Sequence, residues 1–181
     1  MDRLERSSLI ALRVALCLLA VLVVTILCFL YFAPDTVPSH VGFSGEASGQ
    51  MSKKTVLFVI APITLFISGG FLIRRWAEAV PFILVGIPFV FYSQFWISEG
   101  REDYLRGRMI EFVRIASSVS SLFFSLALGS QLATSLGHSL PGVVTVGGFW
   151  LVIAVSIWAI VRNYRRLRPS EWRPEPEADS E

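Results

Sequence analysis

The chain has 181 residues, 54% hydrophobic and 17% charged, with a mean hydropathy of +0.62. Soluble domains carry about a quarter of their residues as charge, more than this chain does. All of its Asp, Glu, Lys and Arg residues lie outside four long uncharged runs, 14–34, 55–73, 79–98 and 115–161. A membrane-spanning helix needs about 20 such residues, so the composition excludes a water-soluble domain and predicts an integral membrane protein. The net charge of +2 also argues against a nucleic-acid partner, which normally calls for a strongly basic face.

The first run predicts an uncleaved anchor helix over Ala11–Phe32. Its apolar stretch is longer than the 7–15 residues of a signal-peptide core, and no small-residue cleavage site follows it. Cys17 and Cys28 would lie about 16 Å apart along this helix, too far for a disulfide. We therefore expect two free thiols that pack against a neighbouring helix, with an intermolecular or redox role as the alternative.

The four runs together predict an all-α, polytopic bundle of five transmembrane helices, with four as the alternative. A single helix over the 47 residues of the fourth run would extend about 70 Å, more than twice the hydrocarbon thickness. This run must therefore fold back on itself, and the turn-forming residues at 134–142 predict the position of the turn. The remaining predicted spans are Val56–Trp76, Ala79–Ile97, Phe112–Ala133 and Val143–Val161.

The loops carry the signal for orientation, because basic residues concentrate on the cytoplasmic side. With five spans, a cytoplasmic C-terminal tail places 11 basic residues inside and 5 outside, and it puts the N-terminus outside. The four-span alternative brings both tails inside. The predicted organisation is a helix–loop–helix domain over 1–76, the other helices over 77–164, and a basic, then acidic, disordered tail over 165–181.

The fourth predicted span carries small residues at every fourth position, which place one stripe on one helix face. Small residues let membrane helices approach closely, so we expect a packing seam inside the bundle, with a homodimer face or a polar conduit as alternatives. Before this span, helical spacing predicts the ion pairs Glu102–Arg106 and Glu111–Arg114. The stripe consists of Ser117, Ser121, Ser125, Gly129 and Ala133.

The loop after the first span, residues 34–54, is the most distinctive segment. Pro34 and Pro38 stiffen its start, whereas three glycines, Gly49 among them, permit positive φ angles. This mixture predicts a shaped surface feature on the bilayer. Asp35, His40 and Glu46 are possible ligands, but a transition-metal site normally collects three or four well-placed ones. We expect no metal, no cofactor and no catalytic group.

The loop pattern P-D-x-V-P-x-H, followed by G-E-x-x-G and S-K, resembles the bacterial membrane family called domain of unknown function 1648, over about residues 14–76. Ser48 departs from the family, whose members commonly carry an acidic residue there. The matching positions, which we take as the candidate recognition loop, are Pro34, Asp35, Pro38, His40, Gly45, Glu46, Gly49, Ser52 and Lys53.

The same domain forms the N-terminal part of SdpI-type immunity proteins, which protect a cell from a secreted antibacterial peptide. The resemblance implies membrane residence, protection from a toxin or signalling, and an outward-facing loop. The five-span charge count instead places this loop inside. Residues 99–181 carry no motif of the immunity proteins.

These observations predict a non-enzymatic multi-pass protein of the cell membrane that senses or neutralises a membrane-active peptide through its first loop. The alternative is an accessory or scaffold subunit of a membrane complex, motivated by the small-residue stripe. A small transporter is a third hypothesis, motivated by Pro62, Pro88 and Gln94, since transporters use broken helices. The expected partners are the lipid bilayer and a membrane protein or an antibacterial peptide.

Overall fold

A computed structural model describes residues 3–41, 47–73, 87–138 and 142–169. Four long or medium helices and one composite helical segment make up the described chain, so the predicted all-α class is confirmed. The only strands in these ranges are four two-residue pieces between the first two helical segments. The elements are α1 (Arg3–Phe32), β1 (Thr36–Val37), β2 (His40–Val41), β3 (Ala47–Ser48), β4 (Met51–Ser52), α2 (Lys53–Thr55), a π turn (Val56–Ile60), α3 (Ala61–Gly69), a 3₁₀ turn (Gly70–Leu72), α4 (Ile87–Ser98), α5 (Glu102–Ser135) and α6 (Gly142–Leu167).

Within the described ranges, three helices are long and apolar enough to cross a membrane: residues 6–32, 102–135 and 146–167. They correspond to the first, fourth and fifth predicted spans, and the predicted total of five is not confirmed. Helix α5 begins at Glu102, ten residues before the predicted start of the fourth span at Phe112. The residues of alternating charge that precede the span therefore belong to the same helix.

The second predicted span falls on consecutive helical turns over residues 53–72, the second helical segment. Pro62 has no N–H to donate to the Phe58 carbonyl, and the helix widens just before it. Across this π turn the Ala61 N–H donates to the carbonyl of Val56, five residues back. Of the third predicted span, 79–97, the structure describes only the part in α4, where Pro88 is the second residue.

Helices α1 and α5 run parallel, and α6 runs antiparallel to both. Near the start of α1, Ser8 accepts a hydrogen bond from Arg114, and beyond its end Ser39 accepts one from Gln131. Arg162, late in α6, reaches back to Glu111 at a distance of 2.6 Å. The bundle therefore has a loop end, with the β ladders, and an arginine end, with the start of α1, the start of α5 and the end of α6.

Two separate apolar cores hold the bundle together. At the loop end, Phe29, Val37, Val56 and Leu128 bury their side chains together. At the arginine end, Trp96 and its neighbours on α4 pack against α5 and the end of α6, and the Trp96 indole donates to the Leu167 carbonyl at 3.0 Å. Helix α5 is the central element, since it contributes to both cores.

Candidate functional site: the first loop and its counterparts in the bundle

The described parts of the first loop, residues 33–41 and 47–52, form two short antiparallel ladders. Strand β1 pairs with β4, Thr36 opposite Ser52 and Val37 opposite Met51. Strand β2 pairs with β3 through the backbones of residues 40–41 and 47–48. The outgoing and returning arms therefore lie side by side, and this is the shaped feature that the prolines and glycines predict.

Three residues tie the loop to the bundle. Val37 is 1% exposed and belongs to the apolar core at the loop end. The Lys53 ammonium donates to the carbonyl of Ala33, just after α1, at 2.7 Å, and its backbone N–H donates to the Asp35 carbonyl at 2.8 Å. The Gln131 amide of α5 donates to the Ser39 carbonyl at 3.3 Å. The loop is thus held by α1, by the second helical segment and by α5.

Gly49 is required at its position for two independent reasons. Its φ of +66° lies in the left-handed region, which side chains with a Cβ rarely adopt. A Cβ added there would also come within 2.2 Å of the Ser39 hydroxyl oxygen, and this hydroxyl donates to the Ser48 carbonyl at 3.1 Å. The closeness of the two arms therefore depends on the missing side chain of Gly49.

The other candidate loop residues have distinct placements. Pro34 and Asp35 are exposed, Pro38 is half-buried, and the Ser52 hydroxyl accepts from the Thr55 N–H at 3.3 Å, which caps α2. Of His40 the structure describes only the backbone. Gly45 and Glu46 lie outside the described residues.

A cavity of about 390 Å³ lies on the loop, with Thr36, Val37, Pro38, Gly49 and Gln50 as its lining. These residues offer backbone groups, one hydroxyl and one amide, which can hydrogen-bond the polar groups of a peptide. In the described ranges, no three His, Cys, Asp or Glu side chains form a group that could hold a metal ion. Two of the candidate ligands, the His40 side chain and Glu46, fall outside those ranges.

The small-residue stripe of α5 faces the inside of the molecule along its serines. Ser117, Ser121 and Ser125 are buried, whereas Gly129 and Ala133 are half-buried. Ser117 donates to the carbonyl of Ser68 in α3, and Ser125 donates to the Ser121 carbonyl at 2.7 Å. These serines are therefore not available as a surface for a second protein.

A buried charge cluster lies at the arginine end. Glu111 is 2% exposed, and its carboxylate lies 2.8 Å from Arg108, 2.6 Å from Arg162 and 3.5 Å from Arg166. Arg114, the partner expected from sequence spacing, donates to the Ser8 carbonyl at 3.0 Å. Glu111 therefore accepts one hydrogen bond from its own helix and one from α6.

The expected pair Glu102–Arg106 is present at 2.5 Å on the exposed start of α5. Nothing in the sequence pattern singles out Gln131 or Ser39 as loop contacts. The available signal is that Gln131 is the one large polar side chain after Arg114 in the predicted span Phe112–Ala133, and such side chains usually have a partner in a membrane protein.

The family model described as "Domain of unknown function (DUF1648)" matches residues 15–66. The chain carries this domain over α1, the first loop and the second helical segment as far as α3, which confirms the family predicted from the loop motif. The match includes every candidate recognition residue from Pro34 to Lys53. No curated protein and no solved structure matches the chain.

Proposed function

We propose that this chain is a non-enzymatic, multi-pass protein of a bacterial cell membrane that senses or neutralises a membrane-active peptide, in the manner of SdpI-like immunity proteins. Its recognition surface is the first loop. The observation that carries the proposal is the position of this loop: it is folded, anchored to three helices, and held at the end of the bundle opposite the arginines.

The distribution of charge supports an outward-facing loop. Within the described ranges, the arginines lie in the half of the bundle at the arginine end, and the only two lysines, Lys53 and Lys54, lie at the loop end. Positive charge is retained on the cytoplasmic side of membrane proteins. The arginine end is then cytoplasmic, and the loop faces out.

The same arrangement favours four crossings over five. The start of α1 and the end of α6 share one end of the bundle, which requires an even number of crossings between them. Helix α1, the second helical segment, α5 and α6 supply four. The described part of α4 has 12 residues, or about 18 Å, and lies beside the start of α5. It is shorter than the hydrocarbon layer, and an even total leaves no place for it as a fifth crossing. Both tails are then cytoplasmic, which removes the conflict between the charge count and the loop.

The surface of the first loop is suited to hold an extended or polar peptide segment. Its cavity presents hydrogen-bonding groups without a charged side chain among its lining residues, and the anchors behind it keep the two arms in place. A preorganised surface loses less conformational entropy when it binds. Recognition would therefore depend on Thr36 and Gln50, the two cavity residues with exposed polar side chains.

Cysteine labelling tests the orientation. Cys17 and Cys28 are free thiols and are first replaced by alanine. Gln50→Cys and Arg168→Cys then place single thiols at exposed positions on opposite ends. We expect a membrane-impermeant maleimide to label Gln50→Cys on intact cells and Arg168→Cys only after lysis. The reverse pattern, or labelling of both on intact cells, would refute the proposed topology.

A survival assay tests the function. A susceptible bacterial host expressing the chain is challenged with the secreted antibacterial peptide against which SdpI-type proteins protect. We expect survival to rise, and Thr36→Ala with Gln50→Ala to abolish this gain while the amount of protein in the membrane stays unchanged. Gln94→Ala, an exposed amide on α4, is the matched control. No protection by the original chain would overturn the proposed function, and full protection by the double variant would overturn the assignment to the loop.

Neither alternative hypothesis has comparable support. The scaffold hypothesis rests on the small-residue stripe, whose serines pack within the chain. The transporter hypothesis rests on Pro62, Pro88 and Gln94. Pro62 is accommodated by the π turn, and Gln94 is exposed on the side of α4 rather than directed into a conduit.

A further inference from the structure

An apolar groove runs between α1, α5 and α6 at the arginine end. Its volume is about 470 Å³. It extends from Glu111 and Arg162 at its mouth to Leu18, Leu122 and Leu151 at its inner end. Eleven residues of α5 or α6 cover this distance, which at 1.5 Å per residue is about 16 Å, close to half of the 30 Å hydrocarbon thickness. The groove therefore has the depth of one leaflet.

The lining of the groove suits a hydrocarbon chain. Besides Glu111 and Arg162, the only polar aliphatic lining residues are Ser7, near the start of α1, and Ser118; the others are apolar or aromatic. The Ser118 hydroxyl already donates to the Arg114 carbonyl of its own helix at 2.9 Å. A peptide segment placed there would bury backbone N–H and C=O groups without partners, at a cost of several kcal/mol for each group. An acyl chain has no such groups.

The mouth of the groove is basic. Trp158 and Arg162 also line a second cavity of about 660 Å³ along α6, which includes Arg165 and Arg166. Glu111 balances only part of this positive charge, and it holds Arg162 in place at 2.6 Å. The guanidinium of Arg162 also lies 4.9 Å from the centre of the Trp158 ring. A fixed, net positive surface thus adjoins a leaflet-deep apolar slot.

We propose that this groove binds one anionic phospholipid from the leaflet at the arginine end. An acyl chain fills the slot between α1, α5 and α6, and the headgroup phosphate lies against Arg162, Arg165 and Arg166. A zwitterionic lipid carries its own positive group and gains less from this surface. The proposal shares with the proposed function only the membrane location, and it requires no peptide and no particular role for the first loop.

The test uses the full chain in lipid nanodiscs of phosphatidylcholine, into which phosphatidylglycerol with the same acyl chains is titrated. We expect the temperature of thermal unfolding to rise in a saturable manner with phosphatidylglycerol. Inorganic phosphate, added without anionic lipid, should not reproduce the rise. An equal response to free phosphate would show that the site binds a soluble anion rather than a lipid. Equal unfolding temperatures with the two lipids would overturn the headgroup assignment.

Two matched pairs of variants locate the effect. Arg165→Gln should weaken the apparent affinity for phosphatidylglycerol about fivefold, and more than Arg168→Gln, which removes the same charge one turn further along. Ala11→Phe, which fills the groove, should abolish the saturable rise, whereas Ala20→Phe on the exposed side of α1 should not. Equal losses in either pair would indicate general attraction to an anionic surface and refute a defined site.

Native mass spectrometry of the unaltered chain provides a test that does not depend on how any variant folds. We expect one phosphatidylglycerol molecule to stay bound at collision energies that remove phosphatidylcholine. Identical release of both lipids would overturn the proposal. Because survival under peptide challenge is a separate assay, failure of the lipid site and failure of the proposed function are distinguishable.

Discussion

The carboxylate of Glu111 should be among the most stabilising polar groups at the arginine end. It is almost fully buried and accepts hydrogen bonds from Arg108 of its own helix and Arg162 of α6, with Arg166 3.5 Å away. Glu111→Gln keeps the size and shape of the side chain but removes its negative charge. Removing one partner of a buried ion pair leaves the other charge uncompensated, which costs about 3–5 kcal/mol.

Glu102→Gln is a matched control, because the same substitution on the same helix breaks the pair with Arg106. The two side chains of that pair are 47% and 40% exposed, and exposed pairs contribute about 0.2–1 kcal/mol. We therefore expect the free energy of unfolding to fall several times more for Glu111→Gln than for Glu102→Gln. Reversible unfolding by a denaturing detergent, followed by tryptophan fluorescence, gives both values.

A double-mutant cycle identifies the partner. If the Glu111 carboxylate acts through α6, then Glu111→Gln combined with Arg162→Gln should destabilise by less than the sum of the single changes, with a coupling of about 0.5–3 kcal/mol. Strict additivity would refute the cross-helix pair. A loss for Glu111→Gln no larger than that for Glu102→Gln would refute the argument from burial.

Two further predictions concern the first loop. Gly49→Ala should destabilise the protein more than Gly100→Ala: both glycines have positive φ, worth about 1–2 kcal/mol of strain, but a Cβ at Gly100 meets open space whereas one at Gly49 meets Ser39. Adding Ser39→Ala should recover part of the Gly49→Ala loss, and equal losses at the two glycines would contradict the close approach. Lys53→Gln, which removes a charged hydrogen bond to Ala33, should cost about 1.5–3 kcal/mol, against less than about 0.5 kcal/mol for the exposed Lys54→Gln; similar values in denaturant titrations would count against this anchor.

The helices were predictable because their signal is local. An uncharged run of 19 or more residues has few structures available to it other than a helix in a membrane. Helix α1 follows from run length alone, whereas α5 and α6 follow from a run too long for one span together with the turn residues at 134–142. The first loop was predictable in kind for the same reason, since prolines and a positive-φ glycine act on their own backbone. The early start of α5 agrees with the helical spacing of Glu102 and Arg106, and the predicted span Phe112–Ala133 covers only the later part of this helix.

The contacts between segments distant in the sequence were not predictable in this way. Glu111 was expected to pair with Arg114, three residues away. Its partner on α6 is instead Arg162, which is 51 residues away in the sequence. Its role depends on how α6 lies against α5, and that depends on side-chain packing along both helices. The contact of Gln131 with Ser39 likewise requires that α1 and α5 run parallel. The lengths of the apolar segments do not show whether two helices run parallel or antiparallel, because the number of membrane crossings between them does not follow from those lengths.

The two ends of the bundle should be energetically separable, and α5 shows why. Its apolar contributions to the two cores, Leu128 at the loop end and Val113 at the arginine end, are separated by the buried serines of the stripe. Serine side chains make fewer dispersion contacts than leucine or phenylalanine, and Ser125 bonds to its own helix, so this stretch couples the two cores weakly. Loss of Glu111 should therefore weaken the lipid groove, whose mouth it shares with Arg162, while the loop keeps its peptide response. Gly49→Ala should weaken the peptide response of the loop and leave the lipid groove unchanged.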